Sequence, residues 1–275
     1  MATDGFFDRY GVSTWLYANR PLEEALRGIS SVGFRWIEIW ADGSHLDPRL
    51  GVDLAEVARL VDSLGLRVHS VHTPFSGLNI GHPRLGDPAL WRALIGQSIR
   101  DAGRLGAEVA VVHPSGHREP LAPEEQAASV DAVRGLVADL VEIADASGVR
   151  VALENMLDSG IWKVGKSLAE LAGIFPDPRV GFCLDTGHAA VNGVDNAGEI
   201  RAAGARLVSI HAANNDGASD LHYPPTDGVV SWPAVEAALR EIRYPGRLML
   251  EVAGRGDPGG MIGRLAGLAT ELSGA

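Results

Sequence analysis

The chain has 275 residues, of which 46% are hydrophobic, and it carries a formal net charge of −11 at pH 7. This length suits one large α/β domain, and we predict a single domain over residues 1–275. The acidic balance argues against a broad polyanion-binding surface but leaves room for a local one. The apolar runs are only strand-sized, which predicts no membrane-spanning segment. Residues 1–10 lack the features of a secretion signal, and Cys183 is the only cysteine, so we predict a cytoplasmic location.

Strand and helix patterns alternate eight times along the chain. Short runs of apolar and β-branched residues predict strands at 11–16, 36–40, 67–72, 108–113, 150–155, 180–185, 207–212 and 247–252. Amphipathic segments, several closed by glycine, predict helices at 22–31, 54–64, 88–105, 123–147, 167–175, 196–203, 231–242 and 260–272. Eight such units without a linker indicate a single (β/α)8 TIM barrel, whose active site lies at the C-terminal mouth of the strands.

Residue alternation within the predicted strands supports a closed barrel. Counting back in steps of two from the terminal polar residues gives one face of small or mixed side chains, such as Ser70, Ala152 and Cys183. The opposite face carries larger apolar side chains, among them Phe182 and Val208. Small residues suit the lumen and large ones suit the surface beneath the helices. The acidic and imidazole residues that end the strands therefore belong to the lumen face.

Six of the predicted strands end near an acidic or imidazole side chain. The last four of them supply Glu154, Asp185, His211 and Glu251. Unpaired buried carboxylates cost on the order of several kcal/mol each, so their convergence requires a bound cation. Three carboxylates and one imidazole form a hard site, which suits Mn²⁺, Mg²⁺ or Zn²⁺.

Two further groups of residues are candidate ligands for additional ions. His72 and His113 end strands three and four, where imidazoles favour Zn²⁺ or bind substrate hydroxyls or phosphates instead. Asp220 and His222 lie in the loop after strand seven and can share one ion with His188, although such residues are also ordinary in loops. We therefore expect one divalent ion at the quartet, with up to three in all.

Other side chains at the mouth are candidates for contacts with a substrate. The aromatic candidates for a wall against one face of a sugar are Trp15, Trp36 or Trp40, and Phe75. Glu38 on strand two is a candidate hydrogen-bond partner for a substrate hydroxyl. Lys163, in the loop after strand five, is a candidate contact for an anionic group.

Several phrases of the chain resemble the xylose-isomerase-like superfamily of TIM barrels. They include VALENM at 151–156, VGFCLDTGHA at 180–189, DLHYPPTDGVVSW at 220–232 and LMLEV at 248–252. The resemblance covers nearly the whole chain from the third strand onward. That superfamily includes sugar phosphate isomerases and epimerases, ketose 3-epimerases and, more distantly, endonuclease IV.

In the epimerase branch, the resemblance implies one divalent metal site on the quartet. Glu154 and Glu251 would also serve as acid and base on the two faces of the sugar, and His188 would touch substrate oxygens. We therefore expect a metal-dependent isomerase or epimerase that acts on a sugar, sugar phosphate or cyclitol through a metal-stabilised enediolate. Its expected partner is a small carbohydrate substrate, and the sequence is compatible with a homo-oligomer.

In the endonuclease branch, the resemblance implies a multinuclear zinc phosphoesterase that acts on abasic DNA. Nine residues would hold three zinc ions, and all nine match by residue type: His72, His113, Glu154, Asp185, His188, His211, Asp220, His222 and Glu251. The first strand, however, lacks the glycine-rich motif of that branch, and residues 40–45 have no basic or intercalating character. The isomerase is the expected function, and nucleic acid is the alternative partner.

Overall fold

A computed structural model describes residues 2–116, 121–157 and 165–272 of the chain. Its strands are Tyr10–Ser13 (β1), Trp36–Trp40 (β2), Arg67–His72 (β3), Val109–Val112 (β4), Arg150–Glu154 (β5), Gly181–Asp185 (β6), Leu207–Ala212 (β7) and Leu248–Leu250 (β8). Each strand pairs in parallel with the next, and β1 pairs with β8 to close the barrel. This confirms the predicted (β/α)8 barrel, whereas the single domain over residues 1–275 stays a prediction.

The helices lie between the strands and cover the outside of the barrel. They are Ala2–Arg9 (α1), Leu22–Ser31 (α2), Leu54–Ser63 (α3), Pro88–Arg104 (α4), Glu125–Ser147 (α5), Leu168–Ile174 (α6), Thr186–Val191 (α7), Asn196–Ala203 (α8), Trp232–Glu241 (α9) and Pro258–Leu272 (α10). Side-chain caps fix several helix starts; Asp87, for example, accepts hydrogen bonds from the backbone N–H groups of Ala89 and Leu90. Within the described ranges, no helix combines the length and apolarity needed to cross a membrane.

The first strand is shorter than predicted and is preceded by a helix. A strand over 11–16 was expected, but β1 ends at Ser13 and a 3₁₀ helix follows at Thr14–Tyr17. The Ser13 hydroxyl accepts a hydrogen bond from the Trp15 backbone N–H, which turns the chain and carries the Trp15 side chain to the mouth. Helix α1, which was not predicted, packs Phe6 against Tyr10 with ring centroids 4.4 Å apart.

The lumen is filled by small and medium side chains, as the alternation predicts. Val109, Val111, Ala152 and Cys183 form a separate buried cluster inside the barrel. The prediction for Val208 was wrong, because this residue packs against the lumen cluster rather than under the helices. The register explains the difference: Phe182 pairs with Leu207 and Cys183 with Ser209, so Val208 is an extra residue in a β-bulge.

Close packing across the lumen explains one glycine in β1. A Cβ atom at Gly11 would lie 2.4 Å from Met249 Cε and 2.7 Å from the Trp36 carbonyl oxygen. No larger residue fits there without displacing its neighbours.

On the outside, Leu153, Phe182 and Ile210 are fully buried beneath the helices, where each such side chain contributes about 1.5–3 kcal/mol. This rigid frame holds the strand ends that carry the acidic and imidazole residues.

Candidate metal centre

The quartet predicted from the strand ends comes together at the C-terminal mouth of the barrel. Glu154 ends β5, Asp185 ends β6, His211 is the penultimate residue of β7, and Glu251 follows β8 by one residue. One ligand atom from each lies within 4.8 Å of the others, and all four side chains are buried. The geometry therefore brings together three carboxylates and one imidazole, the donor set expected for a divalent ion.

Two further groups of potential ligands adjoin the quartet. His72 and His113 form one group with Glu154, and their Nε2 atoms are 3.2 Å apart. The second group contains His188, Asp220 and His222. The three groups together contain all nine residues that the resemblance to the endonuclease branch implies as ligands. They lie next to one another at the mouth of the barrel.

Glu154 connects these clusters. Its Oε2 atom lies 3.2 Å from His113 Nε2, 3.5 Å from His72 Nε2 and 3.4 Å from His211 Nδ1. Its Oε1 atom lies 3.3 Å from His188 Nδ1 on the other side. One carboxylate thus faces several groups of imidazoles, an arrangement that suits a ligand shared between ions.

Four of the histidines have one ring nitrogen engaged by an oxygen acceptor outside their cluster. Nδ1–H donates to a backbone carbonyl in three of them: His72 to Thr73 (3.1 Å), His188 to Asn155 (2.9 Å) and His222 to Glu251 (3.0 Å). His211 instead donates Nε2–H to a carboxylate oxygen of Glu38 at 3.1 Å. Because these acceptors fix the tautomer, the opposite nitrogen of each neutral ring offers a lone pair to its cluster.

Several atoms of the quartet are buried without a hydrogen-bond partner among the described residues. They are Glu154 Oε2, Asp185 Oδ2 and His211 Nδ1. Buried polar atoms are rarely left unsatisfied, because each costs about 1–3 kcal/mol. Two carboxylate oxygens and one imidazole nitrogen that converge in this state fit the ligands of a divalent cation.

Charges within the site perturb the pKa of its ionisable groups. Burial lowers the pKa of His188, but Asp185, Asp220 and Glu154 outweigh burial and hold it well above its usual value. Burial raises the pKa of Glu251 to about 7. The pKa of Glu154 is well below its usual value, because His211 and His113 outweigh its burial. Protons shared among these groups must leave when a cation binds.

Asn155 and α7 position two of the candidate ligands. The Asn155 side chain accepts a hydrogen bond from the Asp185 N–H (2.7 Å) and donates one to the Asp185 carbonyl oxygen (3.0 Å). Asp185 then caps α7, since its Oδ1 accepts the His188 N–H at 2.7 Å. No helix was predicted between the strand over 180–185 and the helix over 196–203, whereas the structure has this short helix. Neither the contacts of Asn155 nor the cap by Asp185 was predicted, although the D-x-x-H spacing of Asp185 and His188 contains the capping signal.

The loop after β7 is held so that Asp220 and His222 face the site. Asn214 and Tyr223 form an antiparallel bridge at its base, with backbone hydrogen bonds of 2.9 and 2.8 Å. The Asn214 side chain also donates to the Pro225 carbonyl oxygen at 2.7 Å. His222 Nε2 lies 3.0 Å from Asp220 Oδ2, and His188 Nε2 lies 3.4 Å from the same oxygen.

A cavity of about 1160 Å³ opens above the clusters. Trp15, Trp40 and Phe75 line it, and each lies against a histidine of the site: Trp15 on His222 (4.6 Å), Trp40 on His72 (4.2 Å) and Phe75 on His113 (4.0 Å) between ring centroids. Glu154, His188 and Glu251 also line the cavity. The predicted aromatic wall therefore adjoins the candidate ligands.

Of the predicted substrate contacts that the structure describes, Trp36, Glu38 and His72 do not line the cavity. Trp36 begins β2 at the opposite end of the barrel, where the Arg247 guanidinium lies 4.3 Å from its ring centroid. Glu38 is fully buried below the cavity and contacts His211 and Ser70 instead of open space. Lys163 lies outside the described residues.

The fold and the site define this protein as a (β/α)8 barrel with clustered acidic and imidazole side chains that could hold a metal ion at the C-terminal mouth of its strands. Residues 26–271 match the family described as xylose isomerase-like TIM barrel. The chain belongs to this family, which confirms the resemblance seen in its motifs.

Individual proteins are similar to this chain in fold or in sequence. A solved structure of a D-tagatose 3-epimerase-like protein superposes with a TM-score of 0.82 at 25% identity, covering 97% of this chain and 98% of that chain. An AP endonuclease of family 2 from Brucella melitensis shares the fold, with a TM-score of 0.76 at 17% identity over 94% and 98% of the two chains. An uncharacterized protein from Methanocaldococcus jannaschii is 28% identical in an alignment of 248 residues, with coverage of 88% of this chain and 83% of that protein.

Proposed function

We propose that this protein is a divalent-metal-dependent isomerase or epimerase of a small hydroxycarbonyl compound of the carbohydrate class. The observation that carries this proposal is the pair Glu154 and Glu251, which belong to the ligand quartet and also line the cavity. Both carboxylates thus border the place where a substrate would meet an ion. The likeness to a D-tagatose 3-epimerase-like protein supports the same class of reaction.

The quartet Glu154, Asp185, His211 and Glu251 would hold the ion. When bound, a divalent cation supplies a Lewis acid that polarises a carbonyl oxygen and an adjacent hydroxyl. Of the two glutamates, one removes the proton from the carbon next to the carbonyl, and the other returns a proton. Return to the opposite face of the same carbon gives an epimer. Return to the former carbonyl carbon, together with transfer of the hydroxyl proton to the former carbonyl oxygen, gives an isomer.

The cavity wall supports a carbohydrate substrate. Trp15 and Phe75 present aromatic faces, and Asn19, Ser76 and Ser115 add polar groups around them. Among the described residues, no arginine or lysine lines the cavity. The aromatic faces and the neutral polar groups suit a polyhydroxylated substrate.

Hydrogen exchange tests the proposed reaction. The metal-free protein is reloaded with Mn²⁺ and incubated in heavy water with a panel of ketoses, ketose phosphates and cyclitol ketones. We expect deuterium to enter the carbon next to the carbonyl of at least one compound. Glu154→Gln should reduce this exchange by about 10²–10⁴-fold. Glu236→Gln should retain it, because Glu236 contacts Arg9 and Tyr10 at the start of β1, at the opposite end of the barrel. No exchange across the panel would contradict the proposal.

A multinuclear phosphoesterase is the second candidate. The specific observation in its favour is that the groups around His72 and around His222 also have the composition and tautomers of metal ligands. Phosphoester hydrolysis commonly uses such neighbouring ions. Elemental analysis distinguishes the candidates: about one ion per chain supports the isomerase, whereas nearly three zinc ions with cleavage of abasic-site DNA supports the phosphoesterase.

A further inference from the structure

Glu38 is a buried carboxylate that lies directly beneath the quartet. Its side chain points into the lumen from β2 and is fully buried. One oxygen, Oε2, accepts hydrogen bonds from Ser70 Oγ at 2.8 Å and from His211 Nε2 at 3.1 Å. The other oxygen, Oε1, has no hydrogen-bond partner among the described residues. A charge in this position is costly, so its presence calls for a specific use.

We propose that Glu38 is a positioning residue that fixes the tautomer of His211 for metal binding. A carboxylate only accepts hydrogen bonds, so its contact requires the ring proton of His211 to be on Nε2. The Nδ1 atom then carries the lone pair. This atom faces the quartet, 3.4 Å from Glu154 Oε2 and 3.3 Å from Glu251 Oε2.

The surroundings of His211 show why an opposing acceptor is needed. Without Glu38, the carboxylates of Glu154 and Glu251 would attract the ring proton to Nδ1, because their oxygens lie close to that nitrogen and a carboxylate is a hydrogen-bond acceptor. An imidazole protonated at Nδ1 has no lone pair there for an ion. Glu38 counters this attraction from below, and Ser70 holds its Oε2 atom in place.

Glu38 also differs from the acceptors that serve the other histidines. His72, His188 and His222 donate to neutral backbone carbonyls, whereas His211 donates to a carboxylate. A charged acceptor increases the basicity of the opposite nitrogen and strengthens it as a ligand. Of these four rings, His211 is thus the one whose lone pair is most strengthened by the acceptor on its other nitrogen.

Metal affinity measured without substrate tests the proposal. The metal-free protein is titrated with Co²⁺, and binding is followed by the d–d absorption of the ion. Replacement of an outer partner of a ligating histidine typically weakens binding by about 10–100-fold. We expect this loss for Glu38→Met, a smaller loss for Glu38→Gln, whose amide oxygen can still accept, and no loss for Glu236→Gln.

A spectroscopic measurement separates positioning from a merely structural role. In the Zn²⁺-loaded protein with ¹⁵N-labelled histidine, the ring resonances of His211, assigned by comparison with His211→Asn, should show the proton on Nε2. Glu38→Met, which has no acceptor for this proton, should shift the Nε2 resonance of His211, and Glu38→Gln should shift it less, while the circular dichroism spectrum stays native. An unchanged His211 pattern together with wild-type Co²⁺ affinity would overturn the proposal, as would absence of Co²⁺ binding by the wild-type protein. The proposal rests on the proposed ion site, but an inactive panel of sugars would leave these readouts intact.

Discussion

Replacement of Asn155 by alanine tests how the site is assembled. The side chain of Asn155 is fully buried and makes two hydrogen bonds to the backbone of Asp185. Its loss leaves one buried N–H and one buried carbonyl without these partners, at about 1–3 kcal/mol each. We take ~3 kcal/mol as the expected loss of unfolding free energy, which for a domain of this size lowers Tm by about 6–12 °C.

The same substitution should weaken metal binding. Asp185 is a candidate ligand and also caps the helix that carries His188, so a shift of its backbone displaces two side chains of the site. Calorimetry with a chelator present measures the stability effect, and Co²⁺ titration measures the affinity. Asn196→Ala is the matched control, because Asn196 is buried but donates only one hydrogen bond, to the Thr186 carbonyl oxygen.

The control should lose only about 1 kcal/mol and should bind Co²⁺ as tightly as the wild type. The reasoning would be refuted if Asn155→Ala and Asn196→Ala had the same Tm. An undiminished Co²⁺ affinity in Asn155→Ala would equally show that Asp185 does not depend on this side chain.

Three other predictions concern pH, packing and substrate binding. Burial lowers the pKa of His222, but Asp220 and nearby carboxylates outweigh it and raise the pKa to about 9. In the metal-free protein, the stability from this raised pKa is fully present below the unfolded value of about 6.5 and is lost as pH rises through about 9. Urea unfolding should therefore show a smaller decline over this interval in His222→Gln than in the wild type, and equal slopes would contradict the assignment. Gly11→Ala should reduce the unfolding free energy by about 1–3 kcal/mol, because its Cβ would meet Met249 Cε and backbone; unchanged urea unfolding would show that the lumen can relax. Trp15→Ala should raise KM about tenfold, or ~1.4 kcal/mol, for whichever sugar exchanges deuterium; a loss confined to kcat would place Trp15 outside substrate binding.

The barrel and the composition of the quartet could be predicted from local patterns. Glu154 and Asp185 end apolar strands, and parallel strands bring their carboxyl ends to one mouth, so periodicity and topology were sufficient. The positions of Asp220 and His222 depended on the resemblance and on residue type alone, because an irregular loop has no periodicity from which to predict its direction.

The features that were missed depend on contacts between distant parts of the chain. The bulge that turns Val208 into the lumen is visible only in the pairing of β6 with β7. Glu38 is on the lumen face, but its depth below the mouth, and therefore its contact with His211 instead of a substrate, follows from the stagger of the strands. Helix α7 is too short for a periodic signal and depends on the Asp185 cap.

The antiparallel bridge between Asn214 and Tyr223 marks where the barrel ends and the loop that carries Asp220 and His222 begins. The two groups of candidate ligands are therefore constrained differently. Three members of the quartet lie in barrel strands and Glu251 directly follows one, so a change of register there would disturb the whole fold. Asp220 and His222 instead project from a loop outside the strands, which the bridge closes at its base, so the register of the barrel constrains residues 216–222 less directly. Evolution can therefore add or remove this group of ligands by exchanging a single loop, and one scaffold can pass between chemistries while its central cation site is preserved.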